Sequence, residues 1–249
     1  AGFFGNYQVN EHVEVFSEFN FMDNQTQAQI APSGAFFVTS ELSCGNPFLS
    51  DQQFELICGS FGLTENDFQD VFLGRRNVEG GFRFDDVRHT SFRGVFGARG
   101  DINDTWTYDA SYQYAETSLE QTYNNDLSIT KIKRALDATT DPVTGETVCR
   151  SVVTGVDPDC VPWNIFETGA VTKEMTDYLV QPLFARGTVD QTVASAYVTG
   201  DLADYGLILP HADTGVSVVL GLEYRDENLE YNPDDGFTSG DGAGQGGPT

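Results

Sequence analysis

The sequence predicts an all-β chain, an antiparallel up-and-down meander of about six strands with short helices carried in long connections. Three observations lead there. Period-two alternation recurs along the chain, the connections between alternating segments are short and long by turns, and the helix-like stretches lie inside the long connections. A length of 249 residues allows one large β domain or two ordinary ones, and a hydrophobic content of 39% suffices for a core.

The first candidate strand is Phe3–Val9, and after Asn10 and Glu11 comes HVEVFSEFNF. There Val13, Val15, Phe19 and Phe21 share one face and Glu14, Glu18 and Asn20 the other. Arg88–Gly100 sets Phe92, Phe96 and Ala98 against His89, Ser91, Arg93 and Arg99. The turn Asp101–Asp104 leads into TWTYDASYQY, where Trp106, Tyr108, Tyr112 and Tyr114 alternate with Thr107, Asp109, Ser111 and Gln113. Thr188–Leu202 is strand-like with no clear phase. In the last strand Val216, Val218, Leu220, Leu222 and Tyr224 alternate with Ser217, Val219, Gly221, Glu223 and Arg225. The apolar faces are either one wall of a soluble core or a surface turned to lipid, and alternation alone does not separate the two.

The spacing does. Connections are short near residue 10 and at 101–104, moderate at 201–214, long over about 23–82 and 120–186, and open-ended over 232–249. Loops this long are uncommon in compact soluble domains, but outer-membrane barrels combine short periplasmic turns with long extracellular loops. Within the loops, Ser50–Leu63 and Val171–Phe184 have helical spacing; in the second, Met175, Tyr178 and Leu179 share a face and Pro182 is expected to stop the helix. The Gly-rich tail from Asp234 is expected to be flexible and to continue no strand.

Cys44 and Cys58 form one local pair and Cys149 and Cys160 another, each in a loop-like stretch. Three connectivities are formally possible; local pairing is the economical one and implies an oxidising compartment. The alternative is four unpaired thiols. Zinc is disfavoured because no CxxC occurs and His12, His89 and His211 are scattered.

A formal net charge of −25 argues against a nucleic-acid partner. The longest nearly apolar run, Gly215–Leu222, is far too short for a spanning helix. No basic start with an apolar h-region is present, and the absence of an initial Met suggests a fragment or processed piece. Gly240–Gly247 looks superficially like a phosphate loop but lacks GK[ST] and its flanking strand and helix. Asp234, Asp235 and Asp241 do not fit an EF-hand spacing. Asp85 and Asp86 could pass for a glycosidase pair only by chance, and no GxSxG or HExxH motif is present, so neither an enzyme nor a cofactor is expected. Arg75 and Arg76 either bind an anionic ligand or lock the loop to a carboxylate such as Glu79; the structural role is favoured.

The stretches GRRNVEGG at Gly74–Gly81, CVPWNIF at Cys160–Phe166, VTGDL at Val198–Leu202 and the closing GAGQGGPT carry a resemblance that covers nearly the whole chain. It resembles the middle of the barrel of a TonB-dependent outer-membrane receptor, of the loop-rich Gram-negative type. The resemblance implies a 22-stranded barrel filled by an N-terminal plug, with TonB-driven uptake of a scarce ligand such as a ferric siderophore. About six strands would be present here, without plug, TonB-box leader or closing strand. It further implies lipid against Val13, Val15, Phe19, Phe21, Phe92, Phe96, Val216, Val218, Leu220 and Leu222. Trp106, Tyr108 and Tyr224 become interfacial aromatics, and the long acidic loops extracellular. Its partners would be outer-membrane lipid, its own plug and remaining strands, and the TonB complex. The runner-up is a secreted soluble all-β carbohydrate-binding protein stapled by disulfides, and a third reading is a calcium-dependent adhesive module.

Overall fold

The computed structural model describes residues 1–244. It is 56% strand, more than twice the ordinary share. In chain order the strands are β1 Gly2–Asn10, β2 Val13–Ile30, β3 Gly34–Ser43, β4 Phe68–Arg76, β5 Arg83–Asp101, β6 Trp106–Leu127, β7 Ala138–Thr140, β8 Thr147–Cys149, β9 Val180–Asp201 and β10 Ser217–Pro233. The α-helices are α1 Asp51–Ile57, α2 Ile129–Leu136, α3 Arg150–Val153, α4 Lys173–Leu179 and α5 Asp235–Thr238.

Six strands form one meander sheet in the order β1-β2-β5-β6-β9-β10, so the all-β, up-and-down prediction holds. The strands are longer than the alternation suggested: β2 extends to Ile30, β5 starts at Arg83, β6 runs to Leu127, β9 starts at Val180 and β10 ends at Pro233. The two long connections shrink to 31–82 and 128–179. The added segments lack a clean alternation: 22–30 is mostly polar, and the β6 and β9 extensions scatter Tyr123, Leu127, Leu183 and Ala185 among polar residues, but backbone pairing needs no regular apolar face. Cross-strand bonds such as Gln27 to Asp86 at 3.0 Å and Gln121 to Asp85 at 2.9 Å hold them instead.

The chain divides into two compact units. The first comprises residues 1–25, 87–120 and 186–232. It is a single layer of sheet. In the β1–β2 ladder Phe3 faces Phe19 and Tyr7 faces Val15, while Phe4 faces Glu18 and Gln8 faces Glu14. Among the described residues, Val95 is this unit's one buried apolar side chain.

The second unit comprises residues 26–86, 121–185 and 233 onward, and it has a core. The β3–β4 hairpin, the short β7–β8 pair and the helices bury Ala35, Val38, Leu127, Ile132, Leu136 and Leu179 around Trp163. A smaller cluster joins Tyr123, Leu183, Ala185 and Phe237. Disulfides Cys44–Cys58 and Cys149–Cys160 confirm the local pairing. Each contributes roughly 3 kcal/mol in the chain-entropy account.

Several local expectations change. The first loop helix is α1, capped by Ser50, whose side chain accepts from Gln53 N at 3.3 Å while Gln53 accepts from Ser50 N, and a 3-10 turn follows at Gly59–Phe61. The second is α4, capped by Thr172, and it ends at Leu179, three residues before Pro182. The helix ends where Val180 turns extended into β9, and Pro182 lies in that strand. Helix α2 was hidden by its lysines: ITKIKRAL, capped by Ser128, buries Ile132, Ala135 and Leu136 and turns Lys133 outward. The tail is ordered as far as it is described. Asp234 caps α5, Phe237 is buried, Gly242 bridges to Ser128, and Gly244 donates to Asp126. Asp234 and Asp241 are thereby committed, Asp241 accepting from Ser128 Oγ and from Thr130 N at 2.8 Å. The glycine loop beyond Gly244 lies outside the described residues.

Candidate functional site

The first unit presents two chemically distinct faces. On one, side chains form a hydrogen-bonded belt across five strands. Glu18 of β2 pairs with Arg93 of β5 at 3.2 Å; Arg93 donates to Gln113 of β6 at 2.7 Å; Gln113 donates to Gln191 of β9 at 2.8 Å; Gln191 donates to Glu227 of β10 at 2.7 Å. Arg225 closes on Glu227 at 3.2 Å, while Arg99–Glu14 at 2.8 Å and Ser111–Ser195 at 3.1 Å add to the same face.

Strand alternation sends the neighbours of these residues to the opposite side. That side carries Phe3, Tyr7, Val15, Phe19, Phe21, Phe92, Phe96, Tyr112, Tyr114, Val218, Leu220, Leu222 and Tyr224. Phe92 and Tyr114 touch across β5 and β6, with ring centroids 5.8 Å apart. Many of these side chains are open to their surroundings, Leu222 at 84%. Val13 also lies on this face and is half-buried. Val216 precedes β10 instead of joining it: its N–H bonds to Leu207 O and its carbonyl accepts from Leu202 N, both at 3.0 Å, in the turn after β9. The segment beyond Phe21, Phe92 and Tyr114 turns polar, with Arg88 bound to Asp23 at 2.7 Å.

Rings gather at the short turns. Trp106 Nε1 donates to the Tyr205 hydroxyl at 3.3 Å, and Asn103 Oδ1 accepts from Trp106 N at 3.0 Å. Gly200 lies beneath the indole, where a Cβ would stand 2.7 Å from the ring. Tyr108 donates to His12 O at 3.2 Å.

Comparison of the chain with known protein families, curated proteins and solved structures gives no match. No helix among the described residues is long and apolar enough to cross a membrane, which says nothing of strands.

In the second unit the paired arginines are tied to their own loop. Arg75 grips Glu79 with both Nη atoms, at 2.7 and 3.2 Å, and lies over the Trp163 ring at 5.4 Å. Arg76 donates to Pro32 O at 2.8 Å and lies over Phe36. Asp85 and Asp86 point to opposite faces of β5, toward Gln121 and Gln27. Among the described residues no group of three or more His, Cys, Asp or Glu is placed to hold a metal.

The Arg75 guanidinium holds Glu79 below the ordinary glutamate value of 4.5. Burial alone would push Asp157 up, but the Tyr178 hydroxyl at 2.9 Å and Arg134 at 2.8 Å together hold it below 3.8. Both shifts have the same sign: their stability is present above the unfolded values and is lost as pH falls through the lower folded ones. Denaturant unfolding of this unit should therefore be insensitive to these groups from neutral pH to about 5 and weaken below about 4, and Glu79→Gln should flatten part of that slope.

Sequence reasoning passed over the β3–β4 hairpin. Its signal was present: SGAFFVTSELS and FQDVFLGRR both alternate, but lay within a stretch read as loop.

Proposed function

We propose that this chain forms part of the barrel of a TonB-dependent outer-membrane active transporter, which takes up a scarce ligand such as a ferric siderophore. One observation carries the reading: a single-layer sheet of very long strands whose ringed face is uncovered and whose other face is cross-linked by polar side chains. Strands β5, β6 and β9 have 19, 22 and 22 residues, against about 5–6 in ordinary sheets. At about 3.3 Å per residue, β6 reaches roughly 70 Å, well beyond a hydrocarbon layer of about 30 Å.

A soluble sandwich would cover the ringed face with a second sheet, yet the first unit buries almost nothing. Lipid supplies that cover in a barrel. The apolar stretch Trp106–Tyr114 fits the roughly 9–11 residues a tilted strand needs to cross, and the polar belt faces the lumen. Trp106, Tyr108 and Tyr224 then lie in the interfacial girdles, and the disulfide-bonded connections are extracellular. Strands β1 and β10 each leave an edge unpaired in the described sheet, which further strands of the barrel would pair.

The test is the chain's behaviour with and without detergent. Sedimentation should show a monodisperse species only in detergent or lipid. A monomer that stays dispersed in plain buffer and unfolds cooperatively would overturn the proposal in favour of a secreted soluble binding protein.

A further inference from the structure

The outer face of the β3–β4 hairpin combines features that its own fold does not use. Alternation buries Val38, Ser40 and Leu42 and turns Thr39 and Glu41 outward; on β4, Phe68, Asp70 and Phe72 face outward. The register sets Glu41 directly opposite Asp70 and Thr39 opposite Phe72. Like charges so placed repel. Beside them the ladder slips between Phe36 and Val38, and Phe37 sits at φ 59°, left-handed backbone that a bulky residue seldom adopts. Its ring stacks on Phe72 at 5.4 Å and 26°, with Phe37 71% and Phe72 68% exposed.

A cleft of about 490 Å³ opens beside Glu41, Asp70 and Phe68, walled opposite by Lys133, Arg134, Asp137 and Ser151; the exposed Phe37–Phe72 stack lies next to it, outside its lining. Its charges are unevenly matched. Arg134 pairs with Asp157, and Asp137 with Arg150. Glu41 and Asp70 form no ion pair among the described residues, nor does Lys133 across the cleft. Two carboxylates against one ammonium leave one negative charge over.

The second unit repeatedly sets a cation over a ring. Arg75 lies over Trp163, Arg76 and Arg83 over Phe36, Lys131 over Tyr178, and Arg150 over Phe68 in this same cleft. The Phe37–Phe72 stack, next to the unmatched carboxylates, has no such cation among the described residues. We infer that this face binds an organic cation, a protonated amine or guanidinium on a flat or apolar body. The charge goes to Glu41 and Asp70 and the body to the Phe37 and Phe72 rings. The site goes beyond the transporter reading and does not depend on it.

Binding is tested on the full chain, in whichever of plain buffer or detergent keeps it monodisperse, with phenethylammonium as the probe and calorimetry and saturation-transfer NMR as readouts. Phenethylammonium should bind, and its neutral counterpart 2-phenylethanol should bind at least about tenfold more weakly. Glu41→Gln with Asp70→Asn should weaken the ammonium by a similar factor without changing 2-phenylethanol, while Phe72→Ala should weaken both. Equal binding of the two probes would overturn the inference. So would binding of maltoheptaose or calcium in place of the ammonium, or no binding to a chain with native circular dichroism and intact disulfides.

Discussion

In the proposed membrane barrel, arginine in place of Leu220 should destabilise the protein by roughly 2–4 kcal/mol, whereas arginine at the adjacent Val219 should cost less than about 1 kcal/mol. The two residues are equally exposed in the isolated chain, at 61% each, and both are apolar. Solvent exposure therefore predicts equal effects. Alternation predicts otherwise: Leu220 shares a face with Leu222 and Tyr224, and Val219 shares one with Glu223 and Arg225. In the proposed barrel a charge on the first face would be dragged into hydrocarbon, whereas on the second it would enter a lumen lined with carboxylates such as Glu223 and Glu227. Unfolding of the assembled protein in lipid measures both, and equal costs would sink the face assignment.

The second large effect lies in the cored unit. Trp163→Ala should destabilise it by roughly 3–5 kcal/mol, because the indole is fully buried among Ile132, Leu136, Leu179 and the Cys149–Cys160 disulfide. The substitution also removes the platform under Arg75 and so loosens the grip on Glu79. Trp163→Phe should cost much less: it leaves a smaller void and removes an indole N–H that has no protein acceptor. Denaturant melts followed by far-ultraviolet circular dichroism report the difference. A Trp163→Ala cost below about 1 kcal/mol would mean that this cluster does not hold the unit together.

Most strands of the first unit were legible because they set rings or aliphatics against polar residues over about ten positions, as from Val13 to Phe21, whereas β9 was legible only by composition, its phase being blurred. Their extensions were not, since segments such as MDNQTQAQ are polar on both sides and pair through backbone and amide bonds that leave no periodicity. The disulfides were legible from local spacing. Helix α2 was missed because its buried face is three residues among lysines and an arginine. Trp163 was quoted only as part of a family-like stretch, and nothing local marks it as the centre of a core built from residues 35 to 179. The Glu41–Asp70 opposition depends on hairpin register, which the long connection between β3 and β4 conceals.

The most direct test of the sheet's two faces is a pair of spin labels in bilayers. All four cysteines are in disulfides, so a single introduced cysteine is the chain's one free thiol. Labels are placed singly at Leu222→Cys and Glu223→Cys in the reconstituted protein, and relaxation by oxygen, which partitions into lipid, is compared with relaxation by a water-soluble nickel chelate. The account predicts that the label at 222 is relaxed by oxygen and shielded from nickel, and that the label at 223 behaves in the opposite way. Equal access of the nickel chelate to both positions would contradict it.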